Sequence, residues 1–213
     1  MHIRKFLIII LAISLLVNVR FIWNHFRNKP IDLPYEVIKQ ERIKLLNTLP
    51  LSDVVFAGTS LTEGFPVHEF YKGVSNRGLG GGTSFDILQL NLGHPKKIFL
   101  EIGINDIKND ACCLFQNYRE LLSKLRGSQI FIESILPVTK PFFQEPEKIN
   151  SEINRANDSL KQYAVEYHCS YLNLHDAFGK EMNEKYTTDG LHLNKEGYYL
   201  WKSKIDSLVN QSP

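Results

Sequence analysis

The chain has 213 residues, 43% of them hydrophobic, and a formal net charge of +2, which suits one domain with a full core plus a short appendage. That near-neutral balance carries no electrostatic footprint for nucleic acid. The three cysteines, adjacent Cys112 and Cys113 and solitary Cys169, make neither a disulfide framework nor a spaced metal-ligand set. They are expected to be ordinary buried or half-buried residues, with one bridge as the alternative.

Arg4 and Lys5 precede an uncharged apolar run from Phe6 to Val17. No polar face interrupts the run, so it reads as a targeting segment rather than core. Residues 1–23 are expected to form an N-terminal hydrophobic helix acting as an uncleaved signal anchor. A cleaved signal peptide is the alternative, because no small-x-small site follows. Either reading puts the globular part outside the cytoplasm, membrane-anchored in the first case and secreted or periplasmic in the second. Residues 24–50 read as a polar, proline-punctuated linker and a first helix, Tyr35 to Leu49. There Val37, Ile38, Ile43, Leu45, Leu46 and Leu49 are expected to share a face, with Lys39, Glu41, Arg42 and Lys44 elsewhere.

Residues 51–210 read as one domain. A first strand spans about Asp53 to Ala57 and meets Gly58-Thr59-Ser60. A second, Val74 to Asn76, runs into Arg77-Gly78-Leu79-Gly80-Gly81-Gly82-Thr83. Four glycines in five positions exclude regular structure there and let backbone amides approach a ligand. The spacing is not Gly-x-Gly-x-x-Gly, and no Gly-Lys-Ser/Thr follows, so a dinucleotide or phosphate loop is not expected. Helical spacing resumes from Ser84 to Leu92. A third strand, Lys97 to Ile102, ends in Gly103-Ile104-Asn105-Asp106. A helix over Leu114–Leu125 leads to a fourth strand over Gln129–Leu136, and then to a stiff, partly apolar loop with Pro137, Pro141, Phe142, Phe143 and Pro146. A helix from Ile149 to Tyr167, a fifth strand from Tyr171 to Leu174 and a polar stretch reach Asp189-Gly190-Leu191-His192. Asn194 can cap a last helix over Lys195–Val209.

Strands alternating with helices predict an α/β fold, a three-layer flavodoxin-like arrangement with a five-stranded parallel sheet between helices. In such sheets ligands bind beyond the carboxyl ends of the strands, and the polar motifs fall there. Ser60 follows strand one, the glycines follow strand two, Asn105 follows strand three, and Asp189 and His192 follow strand five. Each signal alone also fits a plainer reason: a helix-capping serine, an Asn-Asp turn, an Asp-Gly turn beside a surface histidine. Their shared placement argues for one site. A serine hydroxyl needs a base. His192, three residues after Asp189, is the histidine with a matched carboxylate, although Asp176 beside His175 is a second pairing. Attack on an ester carbonyl needs fixed donors for the oxyanion. The Ser60 N–H, a glycine N–H of the 78–82 loop and the Asn105 side-chain amide can supply them.

Gly58-Thr59-Ser60, the glycine loop, Gly103-Ile104-Asn105-Asp106 and Asp189-Gly190-Leu191-His192 resemble, in order and position, the four blocks of SGNH hydrolases, the GDSL esterase/lipase family. The resemblance covers roughly residues 51 to 210. It implies Ser60 as nucleophile, His192 as base and Asp189 as its partner. It also implies an oxyanion hole from Ser60, Gly81 and Asn105, with Gly80 and Gly82 as neighbouring alternatives for the glycine. The family's usual Gly-Asp-Ser is Gly-Thr-Ser here, and Thr59 cannot replace a carboxylate's charge. The implied activity is a serine esterase needing no metal or other cofactor. Its expected substrates are short-chain, O-acetyl-type esters, with a small molecule or a carbohydrate as the alcohol. Alternatives are an acyl-lipid or lysophospholipid esterase, suggested by the anchor and by Phe142 and Phe143, and a glycan O-acyltransferase using the same residues. A non-catalytic binding domain on the same fold would lack one of these residues, and none is missing.

Overall fold

The structure, a computed structural model, describes residues 34–109 and 113–209. The expected anchor, most of the linker and Cys112 lie outside these residues. Among the described residues no helix is long and apolar enough to cross a membrane. Residues 1–37 and 38–213 fall into two units, and the sheet and site belong to the second.

Five parallel strands run in the order β2-β1-β3-β4-β5. They are β1 (Val54–Gly58), β2 (Val74–Gly78), β3 (Lys97–Glu101), β4 (Gln129–Glu133) and β5 (Ser170–Leu172). Around them run α1 (Tyr35–Thr48), α2 (Ser60–Gly64), α3 (Val67–Phe70), α4 (Ser84–Ile87), α5 (Ile104–Lys108), α6 (Leu114–Lys124), α7 (Pro146–Glu166), α8 (His175–Phe178) and α9 (Lys195–Val209). The central strands are apolar on both faces, as a doubly covered parallel sheet requires. Val55, Ala57, Ile98, Leu100, Ile130 and Ile132 join one core with Tyr118 and Leu121 of α6 and Ile153 and Leu160 of α7. The alternate residues Phe56, Phe99 and Phe131 join the other, with Trp201 and Ile205 of α9.

Those three phenylalanines sit in register on adjacent strands. Their rings stack at centroid distances of 4.6 and 4.5 Å, each contact contributing about 0.5–1.5 kcal/mol beyond area burial. Strand order reverses about β1: the chain goes from β1 to β2 on one side and then to β3 on the other. Ser60 therefore follows the strand at the topological switch point, where open α/β sheets carry their ligand crevice.

Several elements depart from their expected bounds for identifiable reasons. β2 continues to Gly78 because Arg77, only 2% exposed, is held inside by its own partners. Its guanidinium donates to the carbonyls of Leu49 (2.8 Å) and Pro50 (2.9 Å), and burial lowers its pKa. α4 is a single turn rather than a helix to Leu92. β4 ends at Glu133: Ser134 N–H still bonds the Leu172 carbonyl of β5 at 3.0 Å, but further on the chain is paired by side chains instead of a strand. Asn157 of α7 bonds both the N–H and the carbonyl of Ile135 (2.8 and 2.9 Å). Asn150 does the same for Val138 (2.8 and 2.9 Å).

The face of α1 is not the one its periodicity suggests. Lys39 and Ile43 are its buried residues, while Leu45 is 61% exposed and Ile38 and Leu49 are also exposed. Lys39 turns inward because Asp86 of α4 lies 3.0 Å from its ammonium, both side chains being buried.

Two further acids are buried. Glu101 and Glu133, at the ends of neighbouring strands, are 0% and 1% exposed. Burial pushes Glu101 up to about 7 and Glu133 up to about 8 from an ordinary 4.5. Trp201 Nε1 donates to Glu133 at 2.8 Å. Because both folded values exceed the unfolded one, the folded chain holds protons that the unfolded chain has released. Their contribution to stability is full below about 4.5 and is lost as pH rises through about 7 to 8. The melting temperature is therefore expected to fall between pH 5 and pH 8. Glu133→Gln, which keeps an acceptor for Trp201, should flatten that fall; thermal unfolding followed by circular dichroism with equal slopes in both proteins would refute the assignment.

Candidate active site

β1 ends at Gly58, and Thr59 caps α2, its hydroxyl accepting from the Leu61 N–H. Ser60 is thereby the first residue of a short helix at the mouth of the sheet. Its Oγ lies 3.2 Å from His192 Nε2. His192 Nδ1 lies 2.7 Å from Asp189 Oδ2. With that Nδ1–H donated to the carboxylate, Nε2 is the acceptor facing the Ser60 hydroxyl. Residues 132 positions apart are thus joined by one bond.

The Asp189–His192 turn is shaped by its own carboxylate. Asp189 Oδ1 accepts the N–H groups of Leu191 (2.9 Å) and His192 (2.8 Å). Burial raises the Asp189 pKa, but the ring of His192 and these two N–H groups outweigh it, and the net shift is downward. The turn is also fastened from outside. Thr139 N–H donates to the Gly190 carbonyl (2.9 Å) and Phe142 N–H to the Asp189 carbonyl (3.0 Å). Gly190 has φ +96°, and a Cβ there would lie 2.4 Å from the Thr139 carbonyl oxygen, so no other residue fits. Phe142 sets the edge of its ring against the imidazole, with centroids 5.7 Å apart at 83°. The ammonium of exposed Lys108 lies 4.8 Å from the Phe142 centroid. Phe143 belongs to the core instead.

The donor side is built from the two strands flanking β1. Leu79 N–H bonds the Gly58 carbonyl (2.9 Å), and Thr59 N–H bonds the Glu101 carbonyl (3.2 Å). Asn105, in the first turn of α5 and 8% exposed, donates one amide hydrogen to the Gly82 carbonyl at 2.9 Å. Its other amide hydrogen has no acceptor among the described residues and is available to a ligand. The Gly82 N–H is committed to the Leu79 carbonyl at 2.9 Å, which removes Gly82 as the donor. Gly81 has φ +66°, a conformation that favours glycine. Neither the Ser60 nor the Gly81 N–H has an acceptor among the described residues.

Ser60, Asp189 and His192 are therefore joined directly, and Gly81 and Asn105 through Gly82. His175 stands apart from this set. Its backbone N–H bonds Ser134 Oγ at 2.7 Å, and its ring meets Asp176 at 3.4 Å. Sequence patterning passed over two supports. Asp106, beside Asn105, accepts from the Ser84 N–H at 2.9 Å, tying α5 to α4. Glu101 accepts from Thr59; its only signal was an acid ending an apolar strand. Cys169 is half-buried with its thiol pushed up to about 11 by burial, so it is not a nucleophile at neutral pH. Among the described residues no group of three or more His, Cys, Asp or Glu side chains could hold a metal ion.

Solved structures share this fold. One described as a platelet activating factor from Streptococcus pneumonia superposes with a TM-score of 0.70 at 24% identity, over 93% of this chain and 98% of that one. A GDSL-like lipase from Bacteroides thetaiotaomicron gives 0.67 at 22% identity, over 82% and 98%. An acylhydrolase from Bacteroides fragilis gives 0.64 at 26% identity, over 81% and 96%. A curated relative, N-acylneuraminate cytidylyltransferase from Escherichia coli, is 27% identical over 176 residues, 75% of this chain. The match spans only 41% of that protein's length. The profile of the GDSL-like Lipase/Acylhydrolase family matches residues 56–200, from within β1 to within α9 and across all four motifs. The chain belongs to that family.

Proposed function

We propose that the protein hydrolyses short-chain, O-acetyl-type esters on carbohydrate, with Ser60 as nucleophile. The observation that carries this reading is the unbroken Ser60–His192–Asp189 relay, with contacts of 3.2 and 2.7 Å. Ser60 Oγ attacks the acyl carbon as its proton passes to His192 Nε2. Asp189, kept ionised by its depressed pKa, holds the imidazole orientation and stabilises the imidazolium. The developing oxyanion is met by the Ser60 and Gly81 N–H groups and the free Asn105 amide hydrogen. His192 returns the proton to the leaving alcohol, and water then releases the acyl group by the same route.

Three features support a bulky, polar alcohol. The His192 and Asp189 side chains are 40% and 37% exposed, so the site lies open rather than at the end of a tunnel. Lys108, beside Phe142, brings positive charge to that opening, which suits an acidic sugar. The curated relative's name concerns N-acylneuraminate, a sugar acid. A lipid ester is the second reading, favoured by exposed Phe142 next to His192 and by the apolar run of residues 6–17, which supports membrane attachment with the domain outside the cytoplasm.

Ser60→Ala is expected to abolish hydrolysis of p-nitrophenyl acetate without changing the far-ultraviolet circular dichroism; undiminished turnover would remove Ser60 as nucleophile. Asn105→Ala should lower turnover about 100- to 1000-fold, and a loss under about threefold would take it out of the oxyanion site. Across p-nitrophenyl acetate, butyrate and octanoate, kcat/KM should be highest for acetate. A preference for octanoate would favour the lipid ester.

A further inference from the structure

Glu101 is a costly residue to bury. It is wholly inaccessible, and its Oε1 has no partner among the described residues. Its charge in turn helps push up the carboxyl of Glu133, a second buried acid on the next strand. Packing at that position would be served more cheaply by an apolar side chain. Its contacts indicate another use. Glu101 Oε2 accepts from Thr59 Oγ1 at 2.7 Å, from Thr59 N–H at 3.3 Å and from Thr62 Oγ1 at 3.4 Å. The Glu101 carbonyl takes the same Thr59 N–H at 3.2 Å. The residue immediately before Ser60 is therefore gripped by both the backbone and the side chain of one residue of β3. Four positions on, the same chain presents Asn105.

We propose that Glu101 is the positioning residue of this active site: through Thr59 it fixes where Ser60 stands relative to Asn105. In the family's Gly-Asp-Ser-Leu lettering, this chain reads Gly58-Thr59-Ser60-Leu61. The carboxyl missing before the serine is supplied from the adjacent strand, and the Thr59 hydroxyl donates to it. A shift of about 1 Å in a reacting group can cost about 100-fold in rate, so such a clamp acts on turnover more than on substrate binding. A burial-raised pKa of about 7 for Glu101 fits a group whose role is to accept these hydrogen bonds, since Oε2 remains an acceptor with or without a proton on Oε1.

This inference rests on Ser60 being the nucleophile, and the test separates the two. Glu101→Leu and Thr59→Val should each lower kcat for p-nitrophenyl acetate about tenfold or more with KM little changed. The double variant should be no worse than the weaker single, because both remove one contact. Glu101→Gln and Thr59→Ser, which keep an acceptor and a hydroxyl, should retain activity within about threefold. Phosphonylation of Ser60 by a fluorophosphonate, followed by mass spectrometry, should slow in step with kcat. Thermal unfolding confirms that each variant is folded; should Glu101→Leu not fold, the Thr59→Val and Thr59→Ser pair carries the comparison. Native kcat in Thr59→Val, multiplicative losses in the double variant, or a change in KM alone would overturn the role of Glu101. Loss of hydrolysis in Ser60→Ala alongside those outcomes would leave the nucleophile standing. Hydrolysis surviving Ser60→Ala would sink the functional reading instead.

Discussion

A single carboxylate organises the end of the chain. Asp189 accepts the N–H groups of Leu191 and His192 on one oxygen and the His192 ring on the other. The same contacts that bend the turn therefore orient the imidazole within it. Backbone shape and proton position cannot vary separately there. Gly190, forced by its positive φ and by the carbonyl of Thr139, allows the bend. The loop after β4 holds it against the sheet, and that loop is in turn held by Asn150 and Asn157 of α7. A residue on a long helix thus reaches the imidazole through a chain of hydrogen bonds, and rigidity of this kind suits the proton transfer proposed for it.

The opposite half of the site depends on the sheet. β1 lies between β2 and β3 in register, with Gly58 opposite both Gly78 and Glu101. Whatever follows these three strands must emerge side by side. Ser60, the glycine loop and Asn105 are those segments. The parallel order, stiffened by the Phe56–Phe99–Phe131 stack, sets their spacing before any polar contact is made. Lys39 and Asp86 then secure the exit of the glycine loop from behind. Asp86 also takes the Thr83 N–H at 2.9 Å.

Much of this was legible in the sequence because polar residues interrupt apolar runs at the strand ends. Ser60, Asn105, Asp189 and His192 stand out for that reason, and the alternation of strands and helices is plain. What stayed hidden depends on contacts between distant residues. Periodicity reads Lys39 as a solvated residue, since nothing near it in the chain announces Asp86. The early stop of β4 was illegible because Asn150 and Asn157, which replace its partner, look like ordinary helix-surface residues. Phe142 and Phe143 are neighbours of one type, yet only the fold separates one against His192 from one in the core. The glycine loop left its donor open among Gly80, Gly81 and Gly82; the commitment of the Gly82 N–H to Leu79 narrows it.

The bond from Trp201 to Glu133 has an optical consequence. The chain has two tryptophans, Trp23 and Trp201, and Trp201 is wholly buried against Phe65, ring planes within 3° of parallel. Indole emission responds to charge at its Nε1 end, so a proton entering or leaving Glu133 alters the light from Trp201. The protein carries, in the middle of its aromatic core, its own spectroscopic gauge of a buried acid.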